Sequence, residues 1–222
     1  MAYSATETHR RFEAVESGST IEAISGFAAI VLTLVGLGSI LPGSMAAIAV
    51  IVVGAALLLE GAAVAARYFR LTSETDDQAR TQGEVSGGIS AEFLGGATGI
   101  VLGLLALIGV YAQVLIPVAA IVFGGSLLIG STASARLNRL VMQTPRTEAN
   151  PWMARVAQET MNAAAGAEFM IGVGSGVLGV LALVGVGSWL VLSLVALLAV
   201  GVAVLVTGTA VSGRMLALLQ HR

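Results

Sequence analysis

Long uninterrupted apolar stretches alternate with short polar ones along the chain, and the apolar stretches come in pairs. Each has about 20–23 residues, enough at 1.5 Å per residue to cross a hydrocarbon core of about 30 Å. Because the stretches are continuous and do not alternate apolar with polar residues, they predict helices and not the strands of a β-barrel. The pattern therefore predicts an all-α polytopic membrane protein with six transmembrane helices.

The six predicted helices form three tandem hairpins with pseudo-threefold character, and together they make a single membrane domain over residues 1–222. The predicted hairpin repeats are residues 19–68, 87–137 and 164–215, preceded by a polar or amphipathic cytoplasmic segment at residues 1–18. The turns at the hairpin tips are predicted at Pro42–Ser44, Tyr111–Gln113 and Gly187–Ser188. A polar loop is predicted at residues 69–86, and a helix beginning at Pro151 is expected to run into the fifth span.

A glutamate opens the first helix of each hairpin: Glu22, Glu92 and Glu168, which align without gaps through their apolar stretches. Small residues recur four, seven, eleven and fourteen positions after each glutamate, which places them on one helix face. In lipid, small residues let helix backbones approach closely, so we expect this face to contact other helices. The predicted packing glycines are Gly26, Gly95, Gly96, Gly99, Gly103, Gly172, Gly176 and Gly179.

An arginine closes the second helix of each hairpin, and a hairpin brings its two ends to the same depth. We therefore predict three ion pairs: Glu22 with Arg67, Glu92 with Arg136, and Glu168 with Arg214. In one interpretation the pairs are structural, fixing helix register and satisfying the carboxylates. In the other, the glutamates form a ring that binds a cation or relays protons.

Glu60 is a carboxylate that the repeat does not explain. It lies seven residues before Arg67, about 10 Å deeper along a helix, and counting back from the other arginines gives Ile129 and Thr207 as its equivalents. An ionisable residue inside a membrane is by default a candidate functional site for ions or protons. The alternative is a protonated side chain that hydrogen-bonds Thr33, Thr98 or a carbonyl, or that contacts another subunit.

Composition strengthens the membrane prediction and excludes several kinds of site. The chain is 56% hydrophobic and 11% charged, with a mean hydropathy of +0.92, whereas soluble domains have about 25% charged residues. The net charge of −2 argues against a nucleic-acid partner. Cysteine is absent and both histidines lie near the termini, so no metal, cofactor or catalytic site is expected and the protein is not predicted to be an enzyme.

The basic residues predict the orientation. All eleven are arginines, all lie on the side of the termini and long loops, and the three hairpin tips carry no charge. By the positive-inside rule, both termini are expected in the cytoplasm and the protein in the inner (plasma) membrane.

The repeats resemble the HdeD family of bacterial acid-resistance membrane proteins. There, a two-helix repeat reads as an apolar run with glycines, a proline-bearing turn and a second glycine-containing run that ends in a basic residue. The first hairpin, ISGFAAIVLTLVGLGSILPGSMAAIAVIVVGAALLLEGAAVAARYFR, matches best, whereas the third lacks the proline. The resemblance implies six helices, an inner-membrane location and a stress-linked role, and it implies no catalytic residues.

These observations favour a non-enzymatic membrane protein whose glycine-packed bundle has a structural, assembly or stress-related role. Its expected partners are the lipid bilayer and either further copies of itself or a larger membrane complex. Two alternatives stay open: a proton or small-cation channel or transporter that uses the glutamates, and an accessory packing subunit of a larger complex.

Overall fold

The computed structural model describes residues 21, 23–72, 79–143 and 151–219, and within them the side chains of residues 21, 23–62, 91–132, 159, 163 and 165–209. The described residues form helices joined by short turns. The helices are α1 (Ala23–Leu37), α2 (Pro42–Thr72), α3 (Ala79–Leu107), α4 (Ala112–Gln143), α5 (Pro151–Val184) and α6 (Trp189–Leu219). The predicted all-helical class is confirmed, and α5 begins at Pro151 as expected.

Four of the helices contain a stretch long and apolar enough to cross a membrane: Pro42–Ala62, Ala112–Thr132, Ala165–Val184 and Trp189–Thr209. The apolar parts of the other two within the described side chains, Ala23–Leu37 and Ala91–Leu107, are shorter. Membrane crossing by all six helices therefore stays a prediction.

Helical structure extends into the segment predicted as a polar loop at residues 69–86. Helix α2 continues to Thr72 and α3 already begins at Ala79, so the loop prediction was wrong for most of that segment. The physical reason is that Ala, Arg, Gln and Glu are good helix formers, so a helix does not need to end where its apolar stretch ends.

The second helices of the hairpins form the centre of the bundle. Helices α2, α4 and α6 contact one another, α3 packs against α2 and α4, and α5 packs against α4 and α6. Helix α1 packs against α6 and α2, because Gly26 lies against α6 and Gly36 lies next to side chains of both helices. The largest fully buried apolar side chains are all on the central helices: Val50, Val53, Leu57, Ile116, Pro117, Phe123, Leu194, Leu197, Val200 and Val204.

The hairpin turns begin before the predicted positions, at residues 38–41, 108–111 and 185–188. In the first, the Ser39 N–H donates to the Gly36 carbonyl (3.0 Å) and the Ile40 N–H donates to the Val35 carbonyl (3.4 Å). These two bonds make a Schellman C-cap, which needs a positive φ at its central residue. Pro42 begins α2, a position where its missing N–H costs no helical hydrogen bond, so the predicted turn at Pro42–Ser44 was wrong.

Each turn holds two residues with positive φ, and only the third turn uses glycine for both. Those residues are Ser39 (66°) and Leu41 (42°), Gly109 (88°) and Tyr111 (37°), and Gly185 and Gly187 (81° each). A non-glycine residue in this region costs on the order of 1 kcal/mol or more. The tip of the first hairpin therefore stores backbone strain that the third avoids.

Candidate functional site: buried carboxylates and the glycine contacts that position them

The stripe of small residues on the three outer helices is buried along its length. Its members are Gly26, Ala29, Thr33 and Gly36 on α1; Gly96, Gly99, Gly103 and Ala106 on α3; and Gly172, Ser175, Gly179 and Ala182 on α5. The opposite faces of the same helices expose large apolar side chains, among them Phe27, Val101 and Val177. The outer helices thus turn small and polar residues inward and large apolar residues outward.

Gly96 brings the backbones of α3 and α2 into contact. A Cβ atom added at Gly96 would lie 2.5 Å from the Gly54 carbonyl oxygen and 2.5 Å from the Leu58 nitrogen. Real Cβ atoms do not come this close to backbone atoms, and backbone cannot move aside as a flexible side chain can. Any side chain at Gly96 would therefore push the two helices apart.

The same contact recurs at two more helix pairs. A Cβ at Gly172 on α5 would lie 2.8 Å from the Gly124 carbonyl oxygen on α4. A Cβ at Gly26 on α1 would lie 2.9 Å from the Gly201 carbonyl oxygen on α6. Each first helix therefore packs on the second helix of another hairpin, and α1 contacts α6 from the opposite end of the chain.

Most of the other predicted packing glycines also face a neighbouring helix. These contacts are Gly95 with Ser126, Gly99 with Phe123, Gly103 with Ile51, and Gly179 with Ile121. Gly176 differs, because a Cβ there would have no atom within 4 Å of those compared. The partner glycines Gly54, Gly124 and Gly201 were not predicted, although they occupy one aligned position of the three second helices.

Alanine substitutions at Gly96 and Gly176 test this difference on matched outer-helix positions. We expect Gly96→Ala to lower the free energy of unfolding by about 1–3 kcal/mol, because the new methyl group overpacks the α2 backbone. Gly176→Ala should leave stability unchanged or raise it by up to about 1 kcal/mol, because alanine is the better helix former. Equilibrium unfolding in mixed detergent micelles measures both, and equal destabilisation by the two substitutions would contradict the contact geometry.

Two of the predicted carboxylates lie inside the bundle. Glu92 is 5% exposed and Glu168 is 8% exposed, while Glu60 is half-buried. Glu60, Glu92 and Glu168 each have an interaction partner in the structure, and within the described residues every fully buried side-chain nitrogen or oxygen is hydrogen-bonded. The buried carboxylates are therefore accommodated by the protein itself.

Gly130 on α4 makes room for the Glu92 carboxylate. A Cβ at Gly130 would lie 2.7 Å from Glu92 Cδ and 3.1 Å from Glu92 Cγ, and it would overlap a carboxylate oxygen. The carboxylate thus lies against bare backbone of the second helix in its own hairpin. Sequence reasoning missed this glycine because it is outside the stripe that carries the glutamates.

The contacts correct the predicted equivalents of Glu60. Glu60 lies six residues after Gly54, so its counterpart six residues after Gly124 is Gly130 and not Ile129, which is 50% exposed. The count from Gly201 again gives Thr207. Counting from the terminal arginines was one residue out in α4, because those arginines are not at equal distances from the contact glycines.

Hydrogen bonding of Glu60 to Thr33, Thr98 or a backbone carbonyl stays a prediction. The Thr33 hydroxyl donates to the Ala29 carbonyl of its own helix (2.9 Å), and Thr98 is on the exposed face of α3. Glu22 and the side chains of Arg67, Arg136 and Arg214 lie outside the described residues. The three Glu–Arg pairs therefore stay predictions.

One buried hydrogen bond links two hairpins. The Ser175 hydroxyl on α5 donates to the Ala120 carbonyl on α4 at 2.9 Å. Ser175 occupies the stripe position held by Ala29 on α1 and Gly99 on α3. The stripe therefore supplies polar as well as steric contacts.

The described residues contain no cluster of metal ligands at the glutamates. Within the described residues, no three His, Cys, Asp or Glu side chains come together as metal ligands would. A shallow open depression does lie at the tip of the second hairpin, lined by Gly109, Val110, Tyr111, Ala112, Gln113 and Trp189.

Comparison with known proteins adds no relative. No protein-family model, no curated protein and no solved structure matches the chain. The resemblance to the HdeD family therefore stays a hypothesis that rests on the repeat pattern.

The Glu92–Gly130 contact is testable on one helix. We expect Gly130→Ala to destabilise the bundle by about 1–3 kcal/mol, because the methyl group displaces a buried carboxylate. Gly125→Ala is the matched control on α4, since a Cβ there meets no atom within 4 Å of those compared.

A double-mutant cycle isolates the contact. With Glu92→Ala in place, Gly130→Ala should lose most of its cost, giving a coupling energy of roughly 0.5–3 kcal/mol from unfolding in mixed micelles. An unchanged cost of Gly130→Ala in the Glu92→Ala background would show that the carboxylate does not occupy this space.

Proposed function

We propose that this protein is a non-enzymatic integral protein of the inner (plasma) membrane with a structural or assembly role. Its six helices cross the bilayer as three hairpins with pseudo-threefold repeat, and the bundle works as a homo-oligomer or as a subunit of a larger membrane complex. The observation that carries the proposal is the filled centre: Leu57, Phe123 and Leu197 are fully buried on the three central helices. Close-packed apolar side chains at the centre are suited to a rigid scaffold, and no water-sized space adjoins these three side chains.

The distribution of residues supports the membrane setting. A soluble helical bundle buries its large apolar residues and exposes polar ones, whereas here the outward faces of α1, α3 and α5 carry Ile, Leu, Phe and Val. Glutamate, serine, threonine and glycine are on their inward faces. Lipid is the surrounding that suits this arrangement, because lipid gives no force that would bury large apolar side chains between helices.

The three matching glycine contacts support the repeat. The pairs Gly96–Gly54, Gly172–Gly124 and Gly26–Gly201 relate each first helix to a second helix in the same register. A triplicated hairpin closing on itself would give this pattern. Orientation with both termini in the cytoplasm rests on the arginine distribution, and a stress-related role rests on the resemblance to the HdeD family alone.

Proton or small-cation transport through the glutamates is the main competing function. It requires water or a polar chain to reach the carboxylates from both sides of the membrane. Burial of Glu92 and Glu168 is compatible with a proton relay. A structural carboxylate is equally expected to be buried next to an interaction partner, as these two are. Flux measurements separate the two roles directly.

We expect purified protein in liposomes to conduct no protons above the rate of protein-free liposomes under an imposed membrane potential. A pH-sensitive dye inside the liposomes measures the flux, and Glu60→Gln should give the same trace as the wild type. Glu159→Gln, at an exposed position of α5, is the control for non-specific effects of losing a carboxylate. The proposal would be contradicted if the wild type conducted protons above background and if Glu60→Gln, but not Glu159→Gln, lowered this flux. The protein would then be a transporter.

A further inference from the structure

The hairpin tips are unusual in exposing apolar side chains without any charge. Seven large side chains at the tips are between 40% and 74% exposed: Ile40, Leu41, Ile108, Val110, Tyr111, Val184 and Val186. The three turns contain Gly and Ser, as turns in water also do, but they hold neither Asn nor Asp, and their large side chains are apolar. The tips therefore have the surface of a segment in contact with lipid.

Several backbone N–H groups of the tips donate to carbonyls of the preceding helix. In the first turn, the N–H groups of Gly38, Ser39 and Ile40 all donate to carbonyls at the end of α1, at 2.9–3.4 Å, and Pro42 has no N–H. In the second turn, the N–H groups of Ile108 and Gly109 donate in the same way, at 3.1 Å. Backbone polar groups in or next to hydrocarbon must find partners inside the protein, whereas a turn in water has no such need.

The start of the apolar helices points to the same depth. The apolar stretches of α2, α4 and α6 begin at Pro42, Ala112 and Trp189, the first residue after each turn. No polar spacer separates the span from the tip, so nothing in the sequence lifts the turn into water.

The buried carboxylates favour inserted tips as well. Glu92 lies fifteen residues before the end of α3 at Leu107, about 22 Å along the helix. Each ångström by which the tip left the membrane would draw Glu92 an ångström deeper into hydrocarbon. Charged and polar groups become more costly toward the bilayer centre, so the carboxylates and the apolar tips favour the same placement.

We infer that the three hairpin tips are embedded at the boundary between acyl chains and headgroups of the far leaflet, with lipid as their partner. Tyr111 and Trp189, whose rings line the depression at the second tip, are the amphipathic residues that prefer this boundary. The inference rests on the membrane placement in the proposed function and goes beyond it. It leaves the arginine side and the lipid-facing helix surfaces as the places where another protein can bind.

The absence of cysteine from the chain makes a direct test possible. Single variants Ile40→Cys, Ile108→Cys and Val186→Cys, each labelled with an environment-sensitive fluorophore, report on the tips in liposomes. Val101→Cys, on the exposed face of α3 six residues before its end, is the lipid control. Glu159→Cys, at an exposed charged position of α5, is the water control. Lipids spin-labelled near the headgroup quench a shallow probe, lipids spin-labelled within the acyl chain quench a deeper one, and iodide quenches a probe in water.

We expect the headgroup-labelled lipid to quench all three tip probes. We also expect iodide to quench them at least about fivefold less than it quenches the Glu159→Cys probe, since an anion does not enter hydrocarbon. Iodide quenching equal to that of the Glu159→Cys probe would overturn the inference, with the tips in water. Protection from both quenchers would also overturn it, because protein and not lipid would cover the tips. Failure of the acyl-chain-labelled lipid to quench the Val101→Cys probe would instead contradict the membrane placement, and with it the proposed function.

Discussion

The backbone-to-backbone approach at Gly26, Gly96 and Gly172 is the contact on which the rest of the structure depends. Lipid offers no hydrophobic force between helices, so close packing must supply the attraction, and only glycine allows this approach. The contact sets both the distance and the register of each outer helix. The burial of Glu92 and the Ser175–Ala120 hydrogen bond follow from that register.

The three second helices differ in chemistry at corresponding positions. The position six residues after the contact glycine holds Glu60, Gly130 or Thr207 in the three second helices. At Gly130 the backbone is bare and the Glu92 carboxylate lies against it. The glycine contacts thus hold the helices together while the neighbouring positions vary, as the proposed structural role allows.

Part of this arrangement could be predicted because three apolar stretches of the sequence show the same spacing of a glutamate and small residues. The aligned glutamates and small residues indicate one helix face, and that face is buried. The partner helix could not be predicted, because a periodic stripe carries no information about what it contacts. The first turn was misplaced because Ser39 and Leu41, unlike glycine, give no signal of positive φ. Gly176 shares the composition of the stripe but lies beside it.

The central claim is that α1 closes the bundle by packing on α6, and a disulfide tests it most directly. A Cβ at Gly201 would lie 3.2 Å from the Cβ of Ala29, close to the separation of about 3.5–4.5 Å in disulfides. With a protease site between α4 and α5, we predict that oxidised Ala29→Cys/Gly201→Cys protein stays in one piece after cleavage, until a reductant is added. Ala29→Cys/Gly174→Cys, whose second site is on α5 and has no neighbour within 4 Å among the atoms compared, should separate. Free fragments from the first variant, or cross-links only between chains, would contradict closure of the bundle.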